Sequence, residues 1–204
     1  PPGQAGMRER VLERLRRFGA QASPRWRLPA PAPAPGMPRR RFVTGGDRQV
    51  SVLEAGTDGP LTVLLPDTAR SAGCLAGLAR RLHGRRVLVP DLPGCGETAL
   101  AHEEELSPAG AGACLLQQLP VLREEHYSLV GFGGGSQVAA AMAMSVPDHL
   151  EQLLLIGAWR LDEDSAAEMA THQAEPIVPD AYGNHLTRLW QQLRDARLFF
   201  PWYC

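Results

Sequence analysis

The stretch SLVGFGGGSQVAAAMA, residues 128–143, constrains the fold of this chain more than any other. An apolar run enters four glycines within five positions and leaves as an alanine-rich helical pattern. Read locally, this is a strand, a tight turn and a helix, the unit from which a parallel sheet with covering helices is built. Glycines crowded into such a turn serve one of two chemistries. They let amide N–H groups cradle a phosphate at the helix N-terminus, or they let strand and helix approach closely enough to raise a nucleophile on the turn.

The two readings differ in spacing and context. Gly131, Gly133 and Ser136 approximate G-x-G-x-x-G/A, the dinucleotide fingerprint. That fingerprint opens the first strand–helix turn of its fold. Here several strands precede the turn, and the next strand, LEQLLLIGA, carries Glu151 at its beginning and no acid at its end. Gly131 and Gly135 instead have the spacing of G-x-S-x-G around position 133.

The rest of the chain reads as an α/β pattern. RRFVT and RQVSVLEA flank GGD as a hairpin, and LTVLLP and RRVLVPD are short continuous apolar runs typical of strands buried on both faces. Helices are expected over 72–82, 108–123 (with Pro120 disturbing its end), 137–144 and 184–198. Four segments follow: an Arg-rich amphipathic helix over 1–22, a Pro/Ala-rich linker over 23–40, an α/β core over 41–160 and a helical segment over 161–204. Within the first, Val11, Leu12, Leu15 and Phe18 share one side at helical spacing.

The flanks of the glycine turn carry a family resemblance. VLVPDLPGCGET resembles the PDLPGxGxS loop after the fourth strand of α/β-hydrolases. LLPDTARSA resembles their oxyanion loop after the third strand, and VPDHLEQLLLIGA the lead into their sixth. NHLTRLWQQLRDARLFFPWY looks like the helical cap of some bacterial members. The motifs cover residues 41 to about 158 in the family's order. The resemblance implies a mostly parallel sheet with flanking helices and the start of a helical cap, and it implies that the fold is incomplete at its C-terminal end. The parent activity would be hydrolysis of an ester, thioester or related bond.

The resemblance also assigns roles. Position 133 is the nucleophile's, but Gly133 has no side chain to attack with, so the chain is expected to be inactive or incomplete. The backbone N–H groups of Thr68 and Gly134 take the oxyanion-hole positions. Asp67, Phe132, His185 and Trp190 are the expected substrate contacts, with Phe199 and Phe200 beside Trp190. Pro66-Asp67 replaces the usual His-Gly pair, and no triad acid or histidine is assignable. Ser136 reads as a small helix-start residue packed toward the sheet, Cys95 as a loop thiol and Asp162 as part of an acidic surface run. His83, His102, His126 and His149 read as surface residues, and His172 falls in the cap region with His185.

Composition narrows the partners. Net charge is −1, all 21 basic residues are Arg, and residues 1–48 hold eleven of them against three acids. No aromatic-interleaved basic motif accompanies that arm, which excludes a nucleic-acid reading. No apolar run nears the roughly 20 residues of a membrane span. The four cysteines show neither CxxC pairing nor zinc spacing, so no metal or cofactor is expected, and reduced thiols suggest the cytoplasm. The expected ligand is a small acyl or carboxylate compound. The alternative to an enzyme is a non-catalytic ligand-binding or interaction subunit, with a partner chain completing the sheet or docking the N-terminal helix.

Overall fold

The computed structural model describes residues 37–45, 48–158 and 177–198. The helix read over 7–18, most of the linker, Asp162, His172, Phe199, Phe200 and Cys204 lie outside the described residues.

The six strands expected from sequence all form: β1 (Arg39–Thr44), β2 (Gln49–Ala55), β3 (Leu61–Leu65), β4 (Arg86–Pro90), β5 (Tyr127–Phe132) and β6 (Leu150–Ile156). They make one sheet in the order β1-β2-β4-β3-β5-β6. β1–β2 and β2–β4 are antiparallel, while β4–β3, β3–β5 and β5–β6 are parallel. β1 begins at Arg39, inside the range read as linker.

The helices are α1 (Ala76–Ala79), α2 (Pro108–Gln118), α3 (Val121–Glu124), α4 (Gly134–Ser145) and α5 (Asn184–Leu198). Ser107 caps α2 by accepting from the Gly110 N–H at 3.0 Å, and Pro108 sits at its first turn, where a missing N–H costs nothing. The helix expected over 72–82 is a correction: a 3-10 turn (Ala72–Leu75) leads into four-residue α1. Gly73 and Gly77 weaken that segment, and no side chain caps either piece.

Strand alternation feeds two hydrophobic layers. Leu61, Val63 and Leu65 of β3 join Leu129 and the α2 and α4 residues Leu115, Val138 and Met142 on one face of the sheet. Leu64 packs on the other with Leu53, Val87, Val89, Ala72 and Ala79. Burial on both faces is why β3 and β4 read as continuous apolar runs. β6, at the edge among the described residues, exposes Leu153, Leu154, Leu155 and Ile156. No described helix is long and apolar enough to cross a membrane.

β3, β5 and β6 run parallel, so the loops after their C-terminal ends share one rim of the sheet. There the chain turns from β3 through Pro66-Asp67-Thr68, and from β5 through the glycine stretch into α4.

Candidate active site

The turn after β5 is built from close backbone approach. A Cβ on Gly131 would lie 2.5 Å from Ser136 Cα, and one on Gly135 would lie 2.7 Å from the Leu65 carbonyl oxygen. Both obstacles are main chain and cannot move aside, so these two positions require glycine whatever chemistry the turn does. Gly133, between them, has φ 54° and ψ −124°. Its N–H donates to the Ile156 carbonyl at 2.9 Å, and its own carbonyl accepts from the Ser136 N–H at 3.0 Å. This is a sharp strand-to-helix corner, with the geometry that the resemblance implies for a nucleophile elbow and the α4 N–H groups opening beyond it.

The loop after β3 answers the vacancy at position 133. Oδ1 of Asp67 accepts a hydrogen bond from the Gly134 N–H at 2.7 Å and another from the Thr68 N–H at 2.9 Å. The two donors assigned to the oxyanion-hole positions therefore converge on one oxygen, and that oxygen belongs to the chain itself. A Cβ on Gly133 would lie 2.5 Å from Asp67 Cγ and 3.0 Å from Asp67 Oδ2. The carboxylate thus occupies the space that a side chain at position 133 would enter. Two N–H donors and the N-terminus of α4 meet it there, and the Arg70 Nε lies 3.9 Å from Oδ2. Delivering Asp67 bends the loop, and Ala69 adopts φ 60°, a left-handed conformation unfavourable to a residue with a Cβ.

Asp91, at the end of β4, fixes the same rim from below. It is fully buried and accepts from the Ala72 N–H at 2.5 Å, the Glu97 N–H at 3.1 Å and Arg40 Nη1 at 2.8 Å. Burial alone would raise its pKa. The hydrogen bonds from Ala72, Glu97, Ser51 and Arg40 outweigh that and hold the carboxyl below its ordinary value. Through Ala72 this anchor sets where the Asp67 loop returns to the body.

Of the sequence-derived site, the structure brings together Gly133, Thr68, Gly134 and Asp67. The contacts of the other three are with other partners. Phe132 is half-buried and packs with Val130 against the Leu53–Leu64 layer, because β5 alternates faces. His185 Nδ1 accepts from the Asp180 N–H at 3.1 Å, in the turn that starts α5. Trp190 is exposed, with the Arg194 guanidinium 5.1 Å over its ring, so its ring contact also lies within α5.

Ser136 is buried with its Oγ 2.8 Å from the Gly131 carbonyl and 3.0 Å from that of Ile156, which accounts for its packing toward the sheet. Cys95 packs against the main core. Among the described residues, His83, His102 and His126 are exposed and no histidine hydrogen-bonds Asp67. Cavities of about 440 and 320 Å³ open elsewhere, one beside Ala55, Arg81 and His83, the other beside Arg48, Glu105 and Cys114. Neither is lined by an elbow residue. No group of three or more metal-ligating side chains occurs among the described residues.

Sequence reasoning missed what Asp67 does. The signal was two departures from one pattern, at 67 and 133, read separately as losses. In space the two positions face each other, the Asp67 Cγ lying 2.5 Å from where a Cβ at 133 would stand.

Known proteins agree with this architecture. No protein-family profile matches the chain. It is 33% identical over 108 residues to a pimeloyl-[acyl-carrier protein] methyl ester esterase of Aeromonas hydrophila, which covers 52% of this chain and 41% of that protein. It is 27% identical over 113 residues to a Caulobacter (strain K31) protein named as a candidate carbamate hydrolase, RutD, covering 55% of this chain and 38% of the relative. The matched region therefore spans well under half the length of either relative.

Among solved structures, an epoxide hydrolase from an endophytic Streptomyces superposes with TM-score 0.60 at 21% identity, over 74% of this chain and 49% of that one. A thioesterase domain from the curacin biosynthetic pathway does so with TM-score 0.53 at 23% identity, over 78% and 63%. The strand order, the elbow and these superpositions agree that the chain has the α/β-hydrolase fold.

Proposed function

We propose that this chain is a hydrolase-fold protein that does not cleave esters through its elbow. The activities named for its relatives, on a methyl ester and a carbamate, point to hydrolysis of an ester or related bond as the parent chemistry. Acyl transfer by this fold needs a nucleophile on the elbow and free donors for the developing oxyanion. Both are spent here. Position 133 offers no side chain, and the Thr68 and Gly134 N–H groups are engaged by Asp67 Oδ1. Such donors are worth about 3–4 kcal/mol to a transition state only when they meet the reacting oxygen. That shared oxygen is the observation on which the reading rests.

The reading in which an open hole holds a small acyl or carboxylate ligand loses support from the same contact, because the hole is filled by the chain's own side chain. An interaction role remains the non-enzymatic alternative.

The test uses the full chain with p-nitrophenyl acetate and butyrate and with a fluorophosphonate probe. The expected result is no pre-steady-state burst and no probe attached to residues 128–143. A burst stoichiometric with protein, or a labelled residue in that stretch, overturns the reading.

A further inference from the structure

The Asp67–Gly133 contact carries one inference beyond the absence of a nucleophile. We propose that Asp67 is a latch on the elbow: its carboxylate substitutes for the missing side chain at position 133 and keeps both N–H donors from any other oxygen or sulfur.

Two independent features of the geometry support it. The first is mutual exclusion in space, since a Cβ at 133 would stand 2.5 Å from Asp67 Cγ. The obstacle is the end of a flexible side chain, unlike the backbone that bars Gly131 and Gly135. Position 133 is therefore the one glycine of the three whose space can be reopened, by moving Asp67. The second is exclusion in hydrogen bonding, since both donors point at Asp67 Oδ1 at 2.7 and 2.9 Å. The Asp67 side chain nonetheless remains 42% exposed, so it can swing outward without crossing the core.

The latch makes a specific electrostatic prediction about any group placed at 133. With Asp67 in place, such a group meets a carboxylate and no free donors. With Asp67 removed, it meets two N–H groups and a helix N-terminus, the environment that lowers a thiol's pKa.

The experiment compares Gly133→Cys with Asp67→Ala/Gly133→Cys, using thiol alkylation rates across pH, with the modified peptide identified by mass spectrometry. The thiol introduced at 133 should titrate about one unit lower in the double variant, and react about tenfold faster at neutral pH. Equal titration in the two backgrounds overturns the latch.

If the Gly133→Cys chain does not fold, Asp67→Ala alone gives the answer. Its Thr68 and Gly134 amide resonances should shift and their hydrogens exchange faster than in the wild type. Unchanged amides overturn the proposal. The inference rests on position 133 lacking a nucleophile, but its test is separable: ester turnover by the wild type would sink the functional reading while the thiol titration still reports on the latch.

Discussion

At position 133 the backbone holds φ 54° and ψ −124°, a conformation that glycine adopts freely and other residues only under strain. Adding a methyl group there costs about 1–2 kcal/mol in backbone strain, and it also displaces Asp67. Gly133→Ala should therefore destabilise the wild type by more than it destabilises an Asp67→Ala chain. A double-mutant cycle followed by urea denaturation should return a coupling of about 0.5–3 kcal/mol, and additive effects would show that the two positions do not compete. Ala69 is the mirror case, a side chain where glycine would be easier (φ 60°). Ala69→Gly should be neutral or stabilising by up to about 1 kcal/mol, because relief of strain offsets the entropy that glycine adds to the unfolded chain. The sequence announced Gly131 and Gly135 through their spacing within one motif, although the backbone that bars a side chain at 135 belongs to the end of β3. It did not announce the role of Asp67, because the bond from the Gly134 N–H joins residues 67 positions apart and no periodicity reports such a contact.

Elements meet at Asp91. Through Arg40 it reaches β1, through Ser51 β2, and through the Ala72 N–H the segment that follows the Asp67 loop. Its carboxyl is held below the ordinary value of 3.8, so the folded state binds this proton less readily than the unfolded chain. The stability it contributes is fully present above the unfolded value and disappears as pH falls through the lower, folded value. Asp91→Asn should accordingly lower stability at neutral pH and flatten its acid dependence, as read by thermal melts across the acid range. Asp91→Ala, which removes the buried acceptor shared by Arg40 and the Ala72 and Glu97 N–H groups, should cost about 3–5 kcal/mol. Strands and the longer helices were legible at this scale: apolar runs marked β3 to β6, and the helical pattern beginning at Pro108 marked α2. The segment after β3 was not, since its alanines and leucines suggest a helix that Gly73 and Gly77 cut short. That Phe132 packs on the Leu53–Leu64 layer was not legible, because a strand end pointing at a site and one pointing into the core share the same composition.

For the molecule as a whole, stability lies in the two layers around the sheet. Leu129, fully buried in central β5, should cost about 2–5 kcal/mol when cut to Ala, whereas Trp190→Ala on exposed α5 should change global stability by no more than about 0.5 kcal/mol. Guanidinium unfolding of the two variants distinguishes them, and a large loss from Trp190 would mean that α5 is buried in solution. The sequence revealed the fold through the order of its motifs. It left the chemistry open because function at this rim depends on which side chains converge, and the Asp67 carboxylate reaches the turn from a loop far away in sequence.

The Ile156 carbonyl, which accepts from the Gly133 N–H and lies 3.0 Å from Ser136 Oγ, also decides how the sheet comes apart. Two donors from the turn meet the last residue of β6, so this strand, the edge among the described residues, is pinned at one end in addition to its ladder to β5 and its packing on α4. A force that peels β6 should start at Leu150 and stall at Ile156. The glycine corner thereby doubles as a mechanical stop for the strand beside it.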